Sequence, residues 1–216
     1  RIMSTDQVGM VNLYSSWYSM ITVVSTLALT SGGFSMALRE FESERDQYVS
    51  SVLSLTSLVA IGLVFLYALA PSFWNRMTGL PTHLMILLLV GLLVAPARDF
   101  WLSRQRFEYR YKLSGAVTIV SAVAASGLAV VAVLYANSID FSDIASVRLF
   151  ANYSIVYGVA AVIWLSIFLK GKCFYSSKYW KFSLQLSLPL IGYSIASQIL
   201  SVSDRLMISK MVGNSA

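Results

Sequence analysis

The sequence predicts an all-α, polytopic transmembrane helix bundle of six spans, and three observations carry that prediction. Of the 216 residues, 57% are hydrophobic and only 12% are charged. Water-soluble domains carry about 25% charge, so this chain has too little polar side chain to coat a globule. Mean hydropathy is +0.69. Finally, six stretches free of Asp, Glu, Lys and Arg are long enough to cross hydrocarbon, which takes about 20 residues for roughly 30 Å. No stretch alternates apolar and polar residues as a barrel strand does.

The spans run Gln7 to Leu38, Gln47 to Asn75, Met77 to Ala97, Leu113 to Ile139, Leu149 to Leu169 and Phe182 to Ser203, the last reaching Met211 if Asp204, Arg205 and Lys210 are tolerated. The first ends through Thr30-Ser31-Gly32-Gly33, a weakened stretch suited to a bend. Pro71 ends the second, Pro81 stands where a first-turn proline opens the third, and Ser142 or Asp143 is placed to cap the fifth. Small residues in the fourth (Ser121, Ala122, Ala125, Ser126, Gly127) permit close packing. The sixth carries Pro189 and Gly192 near its start, a place for a kink.

Charge sets the orientation. The loops after the first, third and fifth spans hold 11 basic residues, whereas the opposite loops hold only Arg76 and Arg148. Positive loops stay in the cytoplasm, so the first span runs from outside to inside. A chain that begins outside on the stub Arg1 to Asp6 implies a helix ahead of residue 1, and the sequence reads as an internal piece of a longer transporter-like protein. The third span's loop pairs Arg104 with Glu108 and Glu108 with Lys112 at i, i+4, the spacing of a charged helical extension.

Polar residues inside spans are the functional candidates. In the sixth span, Ser194, Ser197, Gln198, Ser201, Asp204 and Arg205 fall on one helical face, and hydrocarbon penalises Asp and Arg by several kcal/mol each. That face lines a cavity or gate, or it holds a static ion pair; adjacent residues such as Asp204 and Arg205 do not face each other. The first span has a hydroxyl stripe, Ser15, Ser19, Thr22, Thr26 and Thr30, suited to a substrate path or to hydrogen bonding between helices. Trp17, Tyr18, Tyr153, Tyr157 and Trp164 have the rings to stack on sugars, and an interfacial belt or packing is the simpler reading of any one of them.

Several classes are disfavoured. One cysteine, Cys173, makes no internal disulfide, and one histidine, His83, builds no familiar zinc or iron site. No cofactor or metal is expected. The net charge of +6 follows membrane orientation rather than nucleic acid, because the basic residues sit in short gaps between apolar runs. Asp140 and Asp143 are the only pair resembling a metal site for a membrane glycosyltransferase, and a helix cap is the simpler reading; the chain reads as a non-enzyme.

Three segments resemble one family, the polysaccharide repeat-unit flippases (Wzx-type) of the multidrug/oligosaccharidyl-lipid/polysaccharide exporter superfamily. They are Thr26-Leu27 through Gly32-Gly33-Phe34-Ser35-Met36-Ala37-Leu38-Arg39-Glu40-Phe41 with Arg45-Asp46-Gln47-Tyr48; Trp101 to Lys112; and Ser187-Leu188-Pro189-Leu190 with Ser203-Asp204-Arg205-Leu206-Met207-Ile208. The resemblance implies the second through seventh helices of a two-lobe transporter. Residues 1–169 would be the amino-terminal lobe lacking its first helix, 170–183 a cytoplasmic inter-lobe loop, and 184–216 the first helix of the carboxy-terminal lobe. It further implies a multi-pass protein of a bacterial cytoplasmic (inner) membrane. Such a protein moves undecaprenyl-pyrophosphate-linked oligosaccharides outward by alternating access for capsule, O-antigen or exopolysaccharide synthesis, alongside a polysaccharide polymerase. Arg39, Arg98 and Arg205 would then contact pyrophosphate or acidic sugars, with Arg104 and Arg106 near the inner entrance. The competing expectations are a drug or cation exporter, which favours acidic residues deep in the spans, and a membrane glycosyltransferase or polymerase. A non-transporting scaffold is the fourth.

Overall fold

The computed structural model describes residues 3–30 and 33–212, with side chains omitted at 195, 198, 199 and 201–212. Eight α-helices follow one another: α1 Thr5–Thr26, α2 Gly33–Glu40, α3 Arg45–Leu69, α4 Pro71–Thr78, α5 Thr82–Phe107, α6 Tyr111–Ser138, α7 Ile144–Gly171 and α8 Ser177–Val212, with a 3-10 turn at Glu42–Glu44. Among the described residues there is no strand. This follows from the solvent, since a backbone in hydrocarbon has only its own carbonyls to satisfy its N–H groups.

Four segments are long and apolar enough to cross a membrane among the described residues: Glu42–Leu69, Thr82–Phe107, Tyr111–Ser138 and Ile144–Gly171. The chain is therefore a multi-pass helical membrane bundle, and the expected count of six is met only in part. At 22 residues α1 has the length, but it is crowded with Asn12, Ser15, Ser16, Ser19, Thr22 and Ser25, which dilute its apolarity. The second half of α8 is described by its backbone alone.

Local chemistry moves several expected boundaries. The first span breaks after Thr26, where Leu27 and Ala28 take left-handed backbone angles (φ 51° and 49°), and the chain restarts as α2. Pro71 stops α3 at Leu69 as expected and then opens α4 at its first position, where a proline loses no helical hydrogen bond. Gly79, at φ 71°, ends α4, so the third span begins at Thr82 behind Pro81 rather than at Met77. It then continues past Pro96 to Phe107. The charged extension halts there: Tyr109 sits at φ 58°, so Glu108 pairs with Arg104 at 2.8 Å and with Arg110 at 3.6 Å rather than with Lys112. Asp143 caps α7 by accepting the Ser146 N–H at 3.1 Å. Between α7 and α8 only residues 172–176 are non-helical, and α8 runs unbroken through Pro189.

Contacts between helix ends define two ends of the bundle. At the basic end, the start of α3 meets the end of α5 through Asp46 and Arg104, and the start of α8 through Glu44, which accepts from Tyr179 Oη at 2.6 Å and lies 3.5 Å from Lys178 Nζ. At the far end, Gln7 Nε2 donates to the Ser142 carbonyl at 3.1 Å, and His83 Nε2 lies 2.7 Å from Ser146 Oγ. The central helix is α5, which packs against α1, α2, α3, α6 and α7. Its far half buries Leu84, Leu88 and Leu92 beside Tyr14 and Leu149, and its basic half buries Phe100 beside Phe34, Tyr48 and Ile167.

Close approach to α5 depends on one glycine. A Cβ at Gly91 would collide with the hydroxyl end of Tyr157, whereas Gly127 of α6 faces open space. Gly91→Ala should therefore lower stability by about 1–3 kcal/mol through overpacking, while Gly127→Ala leaves it unchanged or slightly raised. Melting of the two variants in the same detergent checks the contrast.

Candidate functional site: a polar strip along α1, α5 and α7

The strip begins at the far end with a cavity of about 520 Å³ between α1, α6 and α7. Ser15, Ser126, Arg148, Asn152 and Tyr153 supply its polar wall. Tyr153 also belongs to a cluster of four tyrosines that leads inward from the cavity. Its ring centroid lies 5.3 Å from Tyr14, 5.9 Å from Tyr18 and 5.1 Å from Tyr157. Tyr14 and Tyr157 are buried, and their hydroxyls meet at 3.3 Å. Two helices build the cluster because Tyr14 and Tyr18 stand four apart on α1 and Tyr153 and Tyr157 four apart on α7, which puts each pair on one face.

Below the tyrosines, α5 turns a charged face inward. Gly91, Ala95, Arg98, Asp99, Leu102 and Arg106 recur at i, i+4, i+7, i+8, i+11 and i+15, so the face that meets Tyr157 at Gly91 carries the charges toward the basic end. Asp99 follows Arg98 in the chain and stands seven residues before Arg106, so the three charges gather on one side of α5. Arg98 Nε is buried with no hydrogen-bond partner among the described residues. Asp99 is half-buried and joins no hydrogen bond or ion pair among them. At a rise of about 1.5 Å per residue Asp99 lies roughly 26 Å along α5 from Thr82, inside a hydrocarbon layer of about 30 Å if the helix enters there.

Four hydroxyls of the first span's stripe turn back on their own helix. Ser15 donates to the Val11 carbonyl at 2.9 Å, Ser19 to Ser16 at 3.0 Å, Thr22 to Tyr18 at 2.6 Å and Thr26 to Thr22 at 2.8 Å. Each of these four hydroxyl protons is spent on its own helix, while Thr30 lies beyond the end of α1. The stripe therefore does not hold helices together by donation, and it offers a passing polar group only acceptor oxygens. Trp17 and Trp164 are packing residues: Trp17 Nε1 donates to the Thr78 carbonyl at 3.0 Å and Trp164 Nε1 to Ser57 Oγ at 3.2 Å.

The residues singled out from the sequence are scattered. Arg98 and Arg106 lie on the strip. Arg104 lies on another side of α5, held by Asp46 of α3 and by Glu108. Arg39 is exposed at the end of α2, Ser194 is half-buried and Ser197 exposed on α8. The side chains of Gln198, Ser201, Asp204 and Arg205 lie outside the described residues. The sequence reading passes over Asp99 because it ends the third span at Ala97 and puts Arg98 and Asp99 in the following loop, whereas α5 runs on to Phe107. The i, i+7 spacing of Arg98 with Gln105 and of Asp99 with Arg106 was the available signal that the helix continues. No protein-family model, curated protein or solved structure matches this chain.

Chemically, the strip presents aromatic faces, hydroxyl acceptors and guanidinium donors. This set suits a hydroxyl-rich, anionic group: aromatic rings pack on apolar sugar faces, and guanidinium forks match phosphate oxygens. The Tyr14–Tyr157 bond is testable by itself. Tyr14→Phe and Tyr157→Phe should each cost about 1 kcal/mol, because each leaves a buried hydroxyl unpaired. The double variant should cost less than the two together, and a double-mutant cycle of melting free energies measures the coupling.

Proposed function

We propose that the chain belongs to a lipid-linked oligosaccharide flippase, in which the polar strip forms part of the path for the sugar and pyrophosphate head. The observation that carries this reading is the continuity of the strip. Cavity, tyrosine cluster and the α5 face that carries Arg98, Asp99 and Arg106 follow one another through Tyr153 and through Tyr157, which lies against Gly91 on that face. Moving a polar head through hydrocarbon is limited by its desolvation. A hydrated groove with fixed cations removes most of that cost while the lipid tail stays outside. The positive-inside rule supports placing the basic end in the cytoplasm. Arg39, Arg104 and Arg106 then stand at the loading side, in the inner membrane of a bacterium, and Arg98 lies deeper. The polar face of α8, with Ser194, Ser197, Gln198, Ser201, Asp204 and Arg205, would complete the path from the other lobe. The resemblance of the three sequence segments to Wzx-type flippases agrees with this reading.

A second reading has one observation in its favour. Asp99 is an acid inside a membrane helix, which is the feature a drug or cation exporter of the same superfamily would use. The two readings separate on substitution of neighbouring residues.

In a strain lacking its flippase, the full-length protein should restore surface polysaccharide. Arg98→Ala at matched membrane expression should lower it at least about tenfold, the loss expected for a charge-assisted hydrogen bond, and Arg98→Lys should retain most of it. Normal polymer from Arg98→Ala would remove Arg98 from the path. Drug resistance abolished by Asp99→Asn, with polysaccharide unchanged, would favour the exporter.

A further inference from the structure

A second polar cleft lies at the basic end, apart from the strip. It has a volume of about 160 Å³ and is lined by the start of α3, the end of α5 and the end of α7. Three cations border it, Arg104, Arg110 and Lys170, against two carboxylates, Asp46 and Glu108. Both carboxylates are already engaged. Arg104 contacts Asp46 and Glu108, and Arg110 Nε reaches Glu108 at 3.6 Å. Lys170 has no ion-pair partner among the described residues, so the cleft keeps an uncompensated positive charge.

Its floor is also incomplete. Gln105 is only 6% exposed, lines the cleft, and has its Oε1 buried without a hydrogen-bond partner. Its amide makes no side-chain hydrogen bond among the described residues. The sealed, unpartnered atom is Oε1, whereas Nε2 is neither sealed nor engaged in a side-chain hydrogen bond among the described residues, so Gln105 keeps an N–H to offer an anion. A free amide donor on a side chain this buried is a group that a ligand or water satisfies. Trp101, Val49 and Ile167 form the apolar side of the same cleft. Beside Lys170, Leu169 is 73% exposed, so charged rim and lipid-facing surface are adjacent.

We infer that this cleft binds a phosphate group at the basic face of the membrane, the phosphodiester of an anionic phospholipid headgroup, held by Arg110, Lys170 and Gln105 while its acyl chains lie along α7. Arg104 is locked to Asp46 and Glu108 and serves as the wall. Basic pockets between membrane helices on the cytoplasmic side are suited to such headgroups. A phosphate ion from solution shares the recognised chemistry, and a lipid adds the exposed Leu169 surface as a second contact. The proposal does not depend on the transport reading, because Arg110 and Lys170, the two cations that carry it, do not belong to the strip.

The test uses the full-length protein, delipidated in zwitterionic detergent and titrated with phosphatidylglycerol, with bound lipids counted by native mass spectrometry. One phosphatidylglycerol should bind more tightly than the rest. Arg110→Gln with Lys170→Gln should weaken it at least about tenfold, in line with two charge-assisted contacts. Both residues are at the surface, and the melting midpoint without lipid checks that the fold is kept. Lys112→Gln with Lys172→Gln removes the same charge from the same end and should leave binding unchanged. Competition by millimolar inorganic phosphate would show that the anion alone suffices, and its absence that the acyl chains contribute; either supports the cleft. Equal binding by native and Arg110/Lys170 variants, or equal loss in the Lys112/Lys172 control, would overturn it.

Discussion

The structure depends on the cost of an unpaired polar group in hydrocarbon. With no water to satisfy it, every backbone N–H and C=O must be paired within a helix, and the same pressure acts on side chains. It explains why the hydroxyls of α1 fold back onto carbonyls three or four residues earlier, and why the tryptophan N–H groups of α1, α7 and α8 each find an oxygen on another helix. Among the described residues the pressure is left unrelieved at four serine hydroxyls, Ser25, Ser50, Ser51 and Ser187, and at two longer side chains of α5, Arg98 and Gln105. These two residues lie seven apart on α5, so one helix carries both.

The central place of α5 gives that arrangement its meaning. Its far half is a leucine stripe packed under Tyr14 and Tyr157, and Gly91 removes the side chain that would hold α7 away. Its basic half exchanges leucine for aromatic packing with α2 and α3 on one side, through Phe100, Phe34 and Tyr48, and for charge on another. The elbow formed by α2 and the turn before α3 is gripped by the first turns of α8: Tyr179 and Lys178 hold Glu44, Trp180 donates to the Ser51 carbonyl, and Tyr48 meets Ser183 at 2.9 Å. The first turns of α8 are thereby tied to the elbow that follows the break in the first span.

Much of the fold was legible because membrane helices announce themselves by apolar length. The ends of α3 and α6, the Pro71 stop and the Asp143 cap follow from composition and capping chemistry alone. What was not legible depends on backbone angles that sequence fixes only weakly. No glycine marks the break at Leu27 and Ala28, and Tyr109 takes a positive φ with no sequence signal at all. The site was harder to read. Arg98 and Arg106 are legible because charge is conspicuous, but Asp99 falls outside a span that is expected to end at Ala97 and in fact runs ten residues further, to Phe107. The tyrosine cluster joins residues 135 or more positions apart, a relation that no local pattern reveals.

The central claim is that the α1, α5 and α7 strip is wetted inside the membrane while the outer face of α6 meets lipid. Its most direct test is cysteine accessibility in native membranes, on full-length protein in which Cys173 is replaced by serine. Single cysteines at Tyr153, Ala95 and Arg98 should react with a charged, membrane-impermeant thiol reagent, and cysteines at Val123 and Val131, both largely exposed on α6, should not. Protection of all three strip positions, or reaction at Val123 and Val131 to the same extent, would contradict the account.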